Sequence, residues 1–368
     1  MNPSSQSEAM REAAHAAFIA APAHIDGPAG WMGAEMAAHP GRWKIELTDR
    51  EIAQIDAAIR GAVESGQDLA DISPATFRLP LLVGRLESLE QQLLAGPGFA
   101  LVRGFPVARY STREAAIAYL GIGSHLGSFR SQNAKGHLLG HVIDLGADIK
   151  DPGTRYYQTN RGLEFHTDSC DIVGLLCLRS ARSGGESRIV SSVSLYNEMR
   201  ANHPALCEAL FGAFPTDRRG EIPVGASPWF DMPVFHWFDG RLTTIYAGQY
   251  IRSAQDLFPE ARRLTDTELA AIAKLDELAN DRRFSLTMDF RPGDMQFLHN
   301  HQILHAREDF EDHAGRDKRR HLLRLWLSPA RGRALPSVFA TRYGSLEPGA
   351  RGGIITEQTQ LKFVLEPQ

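Results

Sequence analysis

From about residue 125 to residue 330 the chain is a succession of short alternating or apolar runs, separated by Gly, Pro and Asp. They include HVIDLG, DIVGLLCLRS, SRIVSS, RLTTIYAGQY, RFSLTMDF, DMQFLHN and HLLRLWL. Alternation of period two between turn residues is the mark of antiparallel strands stacked as a double sheet or barrel. Two helical patterns interrupt them. VSLYNEMRANHPALCEALF has Ser194 as a candidate cap, and LTDTELAAIAKLDELAND opens on a capping box of Thr265 and Glu268. The first third is mixed. LTDREIAQIDAAIRGAVES carries Thr48 and Glu51 as a capping box, with Ile52, Ile55, Ile59 and Val63 at helical spacing. RLPLLVGRLESLEQQLLAG reads as a helix ending at Gly96, GFALVRGFP as a strand, and STREAAIAYLGIGSHLG as a helix capped by Ser111 and Glu114. A mainly β core with flanking helices is therefore expected.

Bulk properties narrow the function. A chain of 368 residues with net charge −4 and a pI near 6.4 has no basic face for nucleic acid. Its one basic cluster, DKRRH, reads as a solvated loop. The three cysteines, Cys170, Cys177 and Cys207, form no CxxC pair. Their odd number argues against a disulfide framework and fits a reducing cytoplasm. Glu8, Arg11 and Glu12 break the Ala-rich N-terminus, so we expect no signal peptide and no membrane span there, only a helix folded over the body.

One short element carries chemistry. His166 and Asp168 are two apart in EFHTDSCD, so on a strand their side chains leave the same face. A surface hydrogen-bonded pair is the plain explanation. The sharper one is two ligands of a 2-His-1-carboxylate site for non-haem Fe(II), whose third ligand would be His299, His301 or His305 in GDMQFLHNHQILHARE.

The blocks FHTD, SGGES, PGDMQFLHNHQILHARE and RRHLLRLWL, with GFALVRGFP before them, together resemble the taurine dioxygenase-like (TauD/TfdA-type) family of Fe(II)/2-oxoglutarate oxygenases. The match is scattered over roughly residues 95 to 330. The H-x-D element alone is weak, but its combination with the distal Asn–His pair and the arginine block is specific. The resemblance implies a double-stranded β-helix (jelly roll) at 96–335, a helical extension at 1–95 and a C-terminal tail at 336–368, together one structural unit. It implies His166, Asp168 and His305 as the iron ligands, because the family's distal histidine follows an asparagine by five, as His305 follows Asn300. His299 and His301 would then be structural or would orient ligands.

Arg320, at the start of the next strand, would clamp the far carboxylate of 2-oxoglutarate with two parallel hydrogen bonds, helped by Ser187. Arg324 lies on the same face and would meet the cosubstrate or an anionic substrate; among Leu322, Leu323, Leu325 and Trp326 it must find a partner. The implied reaction consumes Fe(II)-bound 2-oxoglutarate and O2, releases succinate and carbon dioxide, and hydroxylates an aliphatic C–H. Retention of Asp168 argues against halogenation.

The substrate is less legible. Arg130, Ser131, Gln132 and Asn133 occupy the loop where the family contacts substrate, YYQTNRG is a candidate lid, and Trp229, Phe230, Phe235 and Trp237 read first as core or subunit interface. These residues suit a small polar, anionic molecule such as an amino acid. No nucleic-acid or membrane partner is expected, and a homo-oligomer is left open. Two other classes compete. A non-catalytic jelly-roll binding protein would not need the Arg320–Ser187 clamp. A zinc hydrolase on the same ligands would need a general base that no motif supplies.

Overall fold

The computed structural model describes residues 3–147 and 154–367, with side chains of the first helix described from Glu12 onward. Among these residues two antiparallel sheets face each other. The larger runs in the order Lys44–Glu46, Phe99–Arg103, Met295–His299, Ile172–Arg179, His321–Ser328 and Ser128–Phe129. Gly140–Val142 also pairs with His321–Ser328, and the Lys44–Glu46 pairing alone is parallel. The smaller sheet runs Ser285–Met288, Ser187–Ser191, Ile303–Arg307 and Leu163–His166.

Alternation sorts each strand between two environments. Leu101, Val173, Leu298, Leu322 and Trp326 of the larger sheet meet Ile189, Leu286, Met288 and Ile303 of the smaller in the core between them. Their neighbours Leu176, Met295, Phe297, Leu323 and Leu325 point the other way, into helices Asp49–Glu64, Val83–Ala95 and Thr112–Ser124. Outward residues Phe165, Val190, Leu304 and Ala306 of the smaller sheet pack under Ser192–Asn202 and Asp266–Asn280. The result is a jelly roll between two helical layers, as the strand pattern implied. Gly174 permits a close helix–sheet approach: a Cβ there would lie 2.6 Å from the Tyr119 hydroxyl.

The three capping boxes form at Thr48–Glu51, Ser111–Glu114 and Thr265–Glu268. Helix Ser192–Asn202 departs from expectation. Its cap is Ser191, the last strand residue, whose hydroxyl accepts from the Ser194 N–H at 3.1 Å. Ser194 instead donates to the Trp31 carbonyl. The helix also breaks at His203, because Pro204 has no N–H to continue the ladder. In RLTTIYAGQY only Arg241–Thr244 is strand, and Gly248 begins a helix. Phe230 and Phe235 are buried, in the two short hairpins that the aromatic stretch helps to build. No helix of the described residues is long and apolar enough to cross a membrane.

Candidate active site

The smaller sheet puts His166 and His305 opposite each other. They are register partners on adjacent antiparallel strands, with ring centroids 4.2 Å apart. Asp168 follows the first strand by two residues and turns its carboxylate between them. One ligand atom from each of the three lies within 4.8 Å of the others, and no other such group occurs among the described residues. The carboxylate stands 3.8 Å from His166 Nε2 and 3.7 Å from His305 Nε2. These gaps are too long for hydrogen bonds. They suit donors that each sit about 2 Å from a shared ion.

Neighbours fix the donors. His166 Nδ1 faces the Glu164 carbonyl at 2.8 Å, leaving Nε2 for an ion. Trp326 Nε1 donates to Asp168 Oδ2 at 2.9 Å, and the Asp168 N–H donates to Asn300 Oδ1 at 3.1 Å. Burial, reinforced by His166, pushes the His305 pKa down to about 3, and burial likewise lowers that of His166. Burial alone would raise Asp168, but Arg324, the two histidines and the Trp326 N–H outweigh it and hold the carboxyl below its ordinary value. At neutral pH the trio is two neutral imidazoles and a carboxylate, the protonation state a metal requires. The donor set and its spacing fit Fe(II).

The inner face of His321–Ser328, continued back to Arg320, supplies the cations. Arg320 is 4% exposed, lies over the Phe310 ring and donates Nη2 to the Gly185 carbonyl at 3.3 Å. Its buried Nη1 has no acceptor among the described residues. Burial pulls its pKa down to about 10, a strain that an incoming carboxylate would relieve. Gly185 leaves room beside it, since a Cβ there would lie 3.0 Å from Arg320 Nε. Ser187 is buried but exchanges its hydrogen bond with Gln296 at 3.1 Å, not with Arg320.

Arg324 has the partners its apolar setting demands. Its Nε donates to Gln132 Oε1 at 2.7 Å, its Nη1 is 3.6 Å from Asp168, and the Tyr157 and Trp326 rings lie 4.8 and 5.1 Å from the guanidinium. Gln132 is thus spent on Arg324. Ser131 donates to the Asn133 carbonyl, and Arg130 Nε to the Gly352 carbonyl. Asn133 lines a cavity of about 600 Å³ together with Tyr157.

The segment read as a candidate lid, which includes Tyr157, is fastened by Arg307, a residue the sequence reading missed; Arg307 donates to the carbonyls of Tyr156, Thr159 and Arg161. Beside Asp168, Asp171 is saturated by Arg351, by His301 at 2.7 Å and by Ser328 at 3.0 Å. His299 is fully buried against Arg333. Long-range pairs such as Asp171–Arg351 leave no local pattern, though an arginine in a glycine-rich tail is a weak signal.

Residues 66–326 match the family described as Taurine catabolism dioxygenase TauD, TfdA family. Among curated proteins, the chain is 33% identical to a taurine hydroxylase-like protein SAT17 of Stachybotrys chartarum, over 76% of this chain and 73% of that one. It is 28% identical to FR-33289 synthase of Streptomyces rubellomurinus, over 89% and 97%. It is also 28% identical to a uridine-5'-phosphate dioxygenase of an Amycolatopsis species, over 63% and 86%. Among solved structures, asparagine oxygenase in complex with Fe(II), 3-hydroxyasparagine and succinate superposes with TM-score 0.62 at 15% identity, covering 77% of this chain and 93% of that one. The non-haem iron oxygenase OrfP with Fe and alpha-ketoglutaric acid gives 0.55 at 16%, covering 77% and 93%. At such identities these two speak to the fold alone. The family match is the stronger finding: the chain belongs to the TauD, TfdA family and is a 2-oxoglutarate-dependent non-haem iron dioxygenase, using Fe(II), 2-oxoglutarate and O2.

Proposed function

We propose that His166, Asp168 and His305 hold the iron, that Arg320 binds the far carboxylate of 2-oxoglutarate, and that the enzyme hydroxylates an aliphatic carbon of a small anionic substrate such as an amino acid. Bound Fe(II), with 2-oxoglutarate and dioxygen, supplies the oxidising chemistry, and succinate and carbon dioxide leave. The protein's own part is positioning. Glu164 and Trp326 aim the ligands. Arg320 offers an unspent guanidinium donor in a site too apolar to leave it idle.

The observation that carries the substrate class is Arg324, a buried cation 3.6 Å from Asp168, gripped by Gln132 and stacked between two rings. Its Nη1 stands beside the candidate iron ligands in a fixed frame, and this positive charge favours an anion next to the reacting carbon over an apolar group. One relative is named for a nucleotide phosphate, an anion, which supports this reading. Arg130, Ser131, Gln132 and Asn133 serve this reading mostly indirectly, by holding Arg324 and the C-terminal segment. The test is a panel of small amino and carboxylic acids assayed for stimulated succinate formation. An acid should stimulate the wild type, and Arg324→Ala should lose that stimulation. Stimulation by neutral apolar compounds only, intact in Arg324→Ala, would overturn the substrate class.

A further inference from the structure

We propose that the cavity outside Tyr157 is a second anion subsite, in which Arg155 and Arg219 take a phosphoryl oxyanion at the end of the substrate remote from the iron. This rests on the reading that Arg324 faces the reacting end. The cavity, about 600 Å³, has the size of a metabolite pocket and is lined by Tyr157, Arg155, Arg219 and Lys135, with Asp217 and Glu221. Tyr157 connects it to the iron side, since its ring also carries the Arg324 guanidinium. On the other side the Arg219 guanidinium lies 5.9 Å from the centre of the Tyr250 ring.

Charge and hydrogen bonding in this cavity do not balance. Glu221 meets Arg155 at 3.2 Å. Asp217 is already engaged: one oxygen accepts from Ser253 at 2.6 Å and the other from the Arg219 backbone N–H at 2.7 Å. The Arg219 guanidinium reaches it only at 3.8 Å. Three lining cations therefore face two carboxylates. Arg155 Nη1 and Arg219 Nε are buried with no acceptor among the described residues. Arg320, which we assign to a carboxylate, shows the same signature.

The backbone adds a further point. Arg219 sits at φ +56° and Gly220 at φ +77°, a left-handed pair in which an arginine is disfavoured over glycine or asparagine. The turn nonetheless places a guanidinium at the cavity. Two guanidinium groups approaching from separate segments, each with an unused N–H, match the several oxygens and double charge of a phosphoryl group better than a single carboxylate. Phosphate esters and phosphonates share this chemistry.

The binding test uses the full chain loaded with Fe(II) and 2-oxoglutarate under anaerobic conditions, titrated calorimetrically with inorganic phosphate. The wild type should bind phosphate. Arg155→Gln and Arg219→Gln should each weaken it at least tenfold, and Arg219→Gly, which suits the turn, should weaken it equally. Arg324→Gln should retain it. Phosphate binding that is absent from the wild type, unchanged in the Arg155 and Arg219 variants, or lost only in Arg324→Gln overturns the subsite. None of these results touches the proposed function, whose readout is acid-stimulated succinate. A second arm compares O-phosphoserine, 2-amino-3-phosphonopropionate and aspartate as stimulants of succinate formation. A tenfold rise in KM confined to the phosphoryl compounds in Arg155→Gln supports the subsite, and the compound that responds separates ester from phosphonate. An equal rise for aspartate overturns it.

Discussion

Asp168 and Asp171 are three residues apart, both are buried, and both keep a company of histidine and arginine, yet the two surroundings are built on opposite lines. Asp171 is fully satisfied: Arg351 donates from Nε and Nη2, His301 lies at 2.7 Å and Ser328 at 3.0 Å. Asp168 accepts one short bond, from Trp326, while its two histidines and Arg324 stand off at 3.6–3.8 Å. A closed network has no room for a ligand and serves to rigidify. A carboxylate and two neutral imidazoles, held just beyond hydrogen-bond range, leave space for an ion between them. Composition does not separate the two clusters; unspent coordination does.

The comparison breaks most sharply under mutation of the open cluster. His166→Ala, Asp168→Ala and His305→Ala should each abolish iron-dependent succinate formation while far-ultraviolet circular dichroism stays native. Asp171→Ala should act on the fold instead. It strands Arg351 and His301 in the interior and should cost about 3–5 kcal/mol in urea denaturation. A loss of activity without a loss of stability in that variant would erase the distinction.

Arg320→Ala should weaken 2-oxoglutarate by roughly 2–4 kcal/mol, about two orders of magnitude in apparent affinity, from the lost charged pair of hydrogen bonds. Arg320→Lys should recover only part, because an ammonium cannot make the fork. An unchanged affinity in the alanine variant would move the clamp to Arg324.

A further effect is on pH. The His305 pKa falls from an ordinary 6.5 to about 3 on folding, and that of His166 falls too. Between these values the unfolded chain binds more protons than the folded one. The contribution to stability is therefore complete above about pH 6.5 and lost as pH drops toward 3. His305→Gln should flatten the acid limb of the metal-free protein's stability curve. His301→Gln leaves Asp171 short of a partner and should lower the whole curve.

Much of this was legible in the sequence, for physical reasons. Period-two alternation reports which residues of a strand share a face, so Arg320 and Arg324 could be placed on one side before the fold was known. The His166–Asp168 spacing reports a shared face, and the resemblance pointed to His305 over His299 and His301; the structure brings His166, Asp168 and His305 together. What stayed hidden is tertiary. Gln132 reads as a loop residue facing substrate, but its amide meets Arg324 across 192 positions. Ser191 escaped as a cap because it ends a strand and starts a helix at once. Arg351 pairs with Asp171 across 180 positions, so a segment read as a tail is anchored in the interior. Arg155 and Arg219 share a cavity that no spacing rule connects.

The most direct test is metal stoichiometry. Anaerobically reconstituted wild type, His305→Ala and His301→Ala should be assayed for iron per folded chain after removal of free metal. We expect one iron in the wild type, none retained by His305→Ala, and near-full occupancy in whatever fraction of His301→Ala is folded. Iron retained by His305→Ala and lost from folded His301→Ala would contradict the assignment.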